Sequence, residues 1–93
     1  MYCLTIVSTD LENKYPIFDV SFYETESGVS HAAEVWLQNS LNYGWKIESE
    51  RYKTMVAGYI CRLKSGRDRR IIDISEVVPQ DAHAYDYLIK SEL

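Results

Sequence analysis

Histidine is the side chain best suited to proton transfer or metal binding near neutral pH, and the chain has two. Glu34 follows His31 by three residues, so both would lie on one face of a helix. Asp86 follows His83 at the same interval. Each pair offers two ligands, whereas a zinc site needs three or four. The sequence therefore predicts no metal site and no cofactor, and an exposed histidine is the expected role in both cases.

The motifs of nucleophilic catalysis and phosphate binding are missing from the sequence. There is no Gly-x-Ser-x-Gly, no Gly-x-x-x-x-Gly-Lys-Ser/Thr and no Gly-x-Gly-x-x-Gly. Cys3 and Cys61 lie in apolar segments without a neighbouring base, where a thiol is inert. We therefore expect a protein that is not an enzyme. A small enzyme that uses His31 or His83 is a third hypothesis, after a protein-binding module and a nucleic-acid-binding domain.

Cysteine usage and hydropathy indicate the compartment. Two isolated cysteines are typical of free thiols in a reducing cytosol, and one disulfide between adjacent strands is the alternative. No run of 18 apolar residues is present, so we expect no transmembrane helix. The first residues, Met1 to Val7, lack the basic region of a signal peptide. The sequence predicts a cytoplasmic protein that does not bind membranes.

The net charge of −4 conceals an uneven distribution along the chain. Residues 1–43 contain one basic and six acidic residues, and residues 71–93 contain one basic and five acidic residues. Residues 44–70 between them contain eight basic and three acidic residues. A basic central segment therefore separates two acidic ends, and it is the part most suited to binding a charged partner.

The basic residues concentrate around the turn at Gly66. Three interpretations are open. The basic residues form a solvated hairpin that protects a sheet edge, a contact for a protein partner or for the acidic ends of a second copy, or a β-ribbon that binds phosphates. An isoelectric point near 5.0 disfavours long-range attraction to nucleic acid. Tyr52 is included among the candidate partner-binding residues because tyrosine and arginine often anchor protein interfaces. The predicted partner-binding residues are Tyr52, Arg62, Lys64, Arg67, Arg69 and Arg70.

Hydrophobic periodicity predicts five strands and two helices in the order ββαβββα. The first helix is expected from about Ser30, capped by Ser27 or Ser30 and ended by Gly44. Its apolar side is predicted from residues four apart: Val29, Ala33, Leu37 and Leu41. The second is expected to begin at Gln80 or Asp81. The predicted strands are Tyr2–Val7, Ile17–Tyr23, Trp45–Tyr52, Met55–Leu63 and Arg70–Val78.

This order predicts one α+β domain over residues 1–93, a two-layer sandwich of an antiparallel sheet and helices on one face. The alternating strand Ile17–Tyr23 is expected to direct its apolar side chains toward the helix. The helix would contribute Trp36, Leu37 and Leu41 to the contact, and the sheet would contribute Phe18, Val20, Phe22 and Ile72.

The favoured hypothesis is a small non-enzymatic protein-binding module, an inhibitor that masks a partner surface. In size, single-domain build and lack of a catalytic motif, the chain is similar to small inhibitors of phages and mobile elements, such as anti-CRISPR, other anti-defence and immunity proteins. No motif carries this likeness. The partner is expected to be a protein or a nucleoprotein complex. The alternative is a nucleic-acid-binding accessory domain that uses the basic hairpin. A homodimer is also expected if the strand Met55–Leu63 lies at an edge of the sheet.

Overall fold

A computed structural model describes residues 1–9 and 16–77 of the chain. Within these residues, no helix is long and apolar enough to cross a bilayer. The elements are β1 (Tyr2–Thr9), β2 (Ile17–Tyr23), α1 (Glu26–Asn42), β3 (Lys46–Glu50), β4 (Ile60–Ser65) and β5 (Asp68–Glu76).

The strands form one antiparallel sheet in the order β2-β1-β5-β4-β3, and α1 packs mainly against β1 and β5 at its centre. The five-stranded antiparallel sheet and the hairpin of β1 with β2 confirm the predicted α+β class. The described residues contain one helix and follow the order ββαβββ. The predicted strand Met55–Leu63 is wrong in its first half, because β4 begins at Ile60. β4 lies between β5 and β3, so it is not an edge strand and the condition for a dimer through it is not met. The predicted second helix, from Gln80 or Asp81, lies outside the described residues.

α1 begins earlier than the sequence pattern predicts. Thr25 is its N-cap, and the Thr25 hydroxyl accepts a 3.0 Å hydrogen bond from the Gly28 amide. Threonine in this position satisfies one of the free amide groups of the first turn, so neither predicted serine is required. At the other end, Gly44 follows the helix with a φ of +90°, which confirms the predicted glycine at the helix end.

The buried residues of α1 are Val29, Ala33, Leu37 and Ser40, whereas Leu41 remains 36% exposed. The reason is the pitch of the helix. Each residue turns the helix by about 100°, so Ser40 returns to within roughly 20° of Val29, whereas Leu41 lies about 120° away. A strict four-residue spacing therefore predicts the start of the buried stripe correctly and its end wrongly.

The segment between β3 and β4 completes the cover of the sheet. The Ser30 hydroxyl donates a hydrogen bond to the Met55 carbonyl, and the Ala57 amide donates one to the Glu26 carboxylate at 3.5 Å. Together with α1, this segment covers one side of the sheet. The strand residues buried on that side are Leu4, Ile6, Cys61, Leu63, Ile72 and Ile74, and Tyr59, directly before β4, is buried with them.

The prediction that Phe18, Val20 and Phe22 pack against the helix is wrong, although Ile72 is fully buried as expected. In the β1–β2 register, the three residues lie opposite Val7, Thr5 and Cys3. Directly opposite residues of an antiparallel pair point to the same side, and β1 uses its other residues, Leu4 and Ile6, to contact the helix layer. Phe18, Val20 and Phe22 are therefore on the side opposite α1, which we call the open face. They are 63%, 53% and 60% exposed.

The same alternation separates the two cysteines, which are both free. Cys3 is half-buried on the open face of β1, whereas Cys61 is fully buried beneath the helix layer on β4. Strand β5 lies between them, which puts the two backbones about 10 Å apart. A disulfide needs shorter separations and converging side chains, so the alternative of a disulfide between adjacent strands is wrong.

A β-bulge changes the direction of the last residues of β3. Ile47 pairs with Leu63 and Ser49 with Arg62, so Glu48 is the extra residue. Glu50 consequently pairs with Cys61 and accepts a 2.6 Å hydrogen bond from the Tyr59 hydroxyl. Burial raises the pKa of Tyr59 far above its usual value, and the hydrogen bond to the Glu50 carboxylate raises it further.

The first prediction compares one buried and one exposed apolar residue. Leu63→Ala should lower the free energy of unfolding by about 2–5 kcal/mol, because it leaves a cavity in the core. Phe18→Ala should lower it by less than about 1 kcal/mol, because the ring is on the open face. Urea unfolding of both variants measures the difference, and a large loss for Phe18→Ala would place that ring in the core.

The second prediction concerns stability at alkaline pH. The folded state holds the Tyr59 proton more tightly than the unfolded chain, because the folded pKa is raised. The free energy of unfolding should therefore fall above about pH 10, by up to about 1.4 kcal/mol per pH unit. Tyr59→Phe should make this fall shallower in urea unfolding at a series of pH values. Burial also raises the pKa of Cys61, so a smaller fall should remain in this variant. Equal slopes in both proteins would contradict the assignment.

Candidate interaction surface

The open face carries a group of basic side chains at the β3–β4–β5 end of the sheet. Lys46 lies opposite Lys64, and Lys64 lies opposite Arg69 on the next strand. Arg62 is two residues before Lys64 on β4 and therefore points to the same side. All of them are exposed. We call these residues the basic patch: Lys46, Arg62, Lys64 and Arg69.

A tight turn between β4 and β5 sets this arrangement. Ser65 pairs with Asp68, so the turn has two residues, Gly66 and Arg67. Gly66 has a φ of +61°, a conformation that glycine adopts without steric cost at the first position of a hairpin turn. The turn fixes the register that aligns Lys64 with Arg69, and it leaves Arg67 exposed beside the basic patch.

One acidic side chain partly neutralises the basic patch. Glu48, at the bulge of β3, forms an ion pair with Arg69 at 3.4 Å between Oε2 and Nε. Both side chains are nearly half exposed, so the pair contributes little to stability. Arg69 also donates hydrogen bonds to the carbonyls of Gly66 and Asp68, which hold it over the turn. Lys46 and Lys64 oppose like charges, an arrangement that favours binding of acidic groups.

The structure separates Arg70 from the other predicted site residues. Its side chain points to the helix layer, where Nε donates to the Ser8 hydroxyl at 2.9 Å and Nη1 to the Ser40 hydroxyl at 2.6 Å. The guanidinium lies 4.3 Å from the ring centre of Trp45 and 5.7 Å from that of Trp36. Burial lowers the pKa of Arg70. These contacts connect β1, α1 and β5, and they give the side chain a structural role.

Tyr52 is also apart from the basic patch. It follows β3, whose last residue pairs with Cys61, whereas the turn at Gly66 lies at the opposite end of β4. At about 3.3 Å per residue, the two places are roughly 17 Å apart. Tyr52 has a φ of +77°, which is strained for a residue with a side chain. Its half-exposed ring lies 5.5 Å from the Arg51 guanidinium.

The structure thus divides the predicted partner-binding residues into two sets. Four of them form a surface group, Arg62, Lys64, Arg67 and Arg69, whereas Tyr52 and Arg70 lie elsewhere.

The sequence pattern missed the apolar half of the open face. Phe18 lies opposite Val7, Val7 opposite Ile71, and Ile71 opposite Arg62, so an apolar row crosses the sheet and ends at the basic patch. A signal for it existed in β1, which is apolar on both sides: Leu4 and Ile6 on one and Val7 on the other. We call these residues the apolar patch: Val7, Phe18, Val20, Phe22 and Ile71.

The histidine candidates gain no further ligands in the described residues. His31 and Glu34 lie on the exposed side of α1, along a shallow groove that Gln38 and Asn39 also line. No group of three His, Cys, Asp or Glu side chains that could hold a metal occurs within residues 1–9 and 16–77. His83 lies outside the described residues.

The third prediction compares two adjacent arginines. Arg70→Met should lower the free energy of unfolding by about 1–3 kcal/mol, because the Ser8 and Ser40 hydroxyls lose a charged donor. Arg69→Met should change it by less than about 1 kcal/mol, because its ion pair is exposed. Urea unfolding measures both, and equal losses would contradict the assignment of Arg70 to the interior and Arg69 to the surface.

The chain matches no protein-family model, no curated protein and no solved structure. The interpretation of the open face therefore depends on the chemistry of its own residues.

Proposed function

We propose that this protein is a non-enzymatic protein-binding module, and that its open face masks the surface of an acidic and partly apolar protein partner. One observation carries the proposal: an apolar patch with exposed Phe18, Val20 and Phe22 adjoins a basic patch, on the side of the sheet that no element within residues 1–9 and 16–77 covers. Large exposed apolar groups rimmed by polar residues mark interaction sites. The proposed activity is inhibition by occupation of that surface, without a chemical step.

The two patches would act differently in such a complex. Each ring of Phe18 and Phe22 that becomes fully buried contributes about 1.5–3 kcal/mol from the area removed from water. The basic patch would attract carboxylates and set the orientation of the partner, with more effect on the association rate than on affinity. Arg67, next to the patch, would add to this attraction.

The mixed character of the open face favours a protein over a nucleic acid as the partner. Asp73 lies in the middle of the face, between Thr5 and Ile60, where it would repel phosphates. The basic patch also contains Glu48 in an ion pair. The overall charge of −4 opposes long-range attraction to a polyanion.

For the class of partner, we propose a component of a defence or toxin system in the cytoplasm. This part of the proposal is supported by the likeness in size and single-domain build to anti-defence, anti-CRISPR and immunity proteins. The two free cysteines are compatible with a reducing compartment.

The fourth prediction tests the open face by charge reversal. Affinity capture from the native host with the unaltered protein identifies a candidate partner, which is then purified for titration. Arg62→Glu with Lys64→Glu should weaken its binding at least about tenfold, because close like charges replace attraction. The matched control is Arg51→Glu with Lys53→Glu, which makes the same charge change on exposed residues that follow β3. The control should bind like the unaltered protein.

Three results would overturn the proposal. Equal affinities of the Arg62/Lys64 variant and the unaltered protein would exclude the basic patch. Unchanged binding of a Phe18→Ser, Phe22→Ser variant would exclude the apolar patch. Tight binding of single-stranded DNA or RNA, with affinity that falls steeply as salt rises, would favour the nucleic-acid-binding alternative instead.

A further inference from the structure

The two edges of the sheet are built differently. The β3 edge has five residues, of which Lys46, Glu48 and Glu50 are charged, and it contains a bulge. Short length, charge and bulges are the features that keep an edge strand from pairing with another chain. β3 has all three of them.

β2 at the opposite edge lacks these features. It has seven residues with Asp19 as its single charge, and its pairing with β1 is continuous from Ile17 to Tyr23 without a bulge. Within residues 1–9 and 16–77, β2 is paired on one side only, so its outer backbone groups have no strand partner there. The free edge also borders the exposed side chains of Phe18, Val20 and Phe22. Such an edge is a template for another strand.

We propose that β2 pairs with β2 of a second copy of this chain, antiparallel and centred on Val20, to form a continuous ten-stranded sheet. A twofold axis perpendicular to the sheet relates the two copies, as in isologous dimers. The inference is independent of the proposed partner, because it depends on the edge of the sheet and not on the basic patch.

The sequence of β2 selects this register. Directly opposite residues of an antiparallel pair point to the same side. A twofold axis perpendicular to the sheet must therefore pass midway between the two copies of one residue, which then lie opposite each other. Centring on Asp19 would oppose two carboxylates, which is destabilising. Centring on Val20 pairs all seven residues of β2 and places Asp19 opposite Ser21. It also places Phe18 opposite Phe22, a favourable aromatic pair.

Charge at the rest of the open face does not oppose this arrangement. β4, which carries Arg62 and Lys64, is three strands away from β2 in each copy. Seven strand spacings would separate the two β4 strands, roughly 34 Å. This distance exceeds the screening length of about 8 Å at physiological salt. Both open faces would lie on the same side of the dimer, with the two apolar patches in contact at its centre.

Val20 on the twofold axis allows a sharp test by complementary charges. Val20→Lys and Val20→Glu should each be monomeric in sedimentation velocity, because each opposes like charges across the axis. An equimolar mixture of the two should form a heterodimer with the mass of the unaltered dimer. Ser49→Lys, which adds the same side chain to the β3 edge, should remain dimeric. Circular dichroism verifies that each variant is folded.

A cross-link provides a second test that does not depend on the charged variants folding. In a Cys3→Ser background, Val20→Cys should form an interchain disulfide under mild oxidation, since opposed residues lie within disulfide range. Asp19→Cys, opposite Ser21 of the second copy, should cross-link at least about tenfold more slowly.

A monomeric unaltered protein at all soluble concentrations, or a dimer that survives Val20→Lys, would overturn the proposal. Pairing of β2 with a strand of another protein by a monomeric chain would overturn it as well.

Discussion

The packing of α1 against one side of the sheet is the contact on which the rest of the structure depends. A helix of 17 residues is about 25 Å long and presents one buried stripe, here Val29, Ala33, Leu37 and Ser40. The strands beneath it alternate with a period of two, so every second side chain must point away from the helix. β1 is apolar on both sides, so Val7 is left on the side away from α1. β2 is apolar on one side, and its register with β1 turns Phe18, Val20 and Phe22 to the same side as Val7. The open face follows directly from this geometry.

Arg69 and Arg70 show how one residue step on a strand decides between structure and surface. Arg70 enters the helix layer, where two serine hydroxyls accept hydrogen bonds from its guanidinium and two tryptophan rings lie close to it. Hydrogen bonds to hydroxyls and cation–π contacts reduce the cost of removing this charge from water. Ser40 is buried for the same purpose, and its hydroxyl also donates to the Trp36 carbonyl at 2.7 Å. Arg69 points the other way, to the open face, where it is exposed and forms an ion pair with Glu48.

The open face is asymmetric across the sheet, and this asymmetry connects the two proposals. The apolar patch lies at the β2 edge, which has no second strand partner among the described residues. The basic patch lies at the β3 edge, which is short, bulged and charged. If β2 pairs with a second copy as proposed and β3 stays free, the two open faces form one continuous surface, apolar in the middle and basic at its ends. In a dimer centred on Val20, a protein partner could contact both kinds of patch without competing with the backbone pairing of β2.

The sequence by itself determined the local elements, because local signals depend on neighbouring residues only. Alternation predicted five strands, although residues 55–59 of one of them lie in no strand. The four-residue spacing predicted the start of the buried helix stripe, and Gly44 and Gly66 marked the ends of elements. Charge density located the basic turn, and the register then placed Arg62, Lys64 and Arg69 on one side.

Only the tertiary structure decided which side of each strand is covered. Phe18, Val20 and Phe22 have the alternation of a half-buried strand, and that pattern is the same whether the apolar side faces a helix or solvent. The register of β2 against β1 and the position of α1 resolve it, and both depend on residues distant in the chain. The same holds for Arg70, whose serine and tryptophan partners come from three other parts of the sequence. Long-range contacts of this kind leave no local pattern, because a strand repeats every two residues and does not record its neighbours.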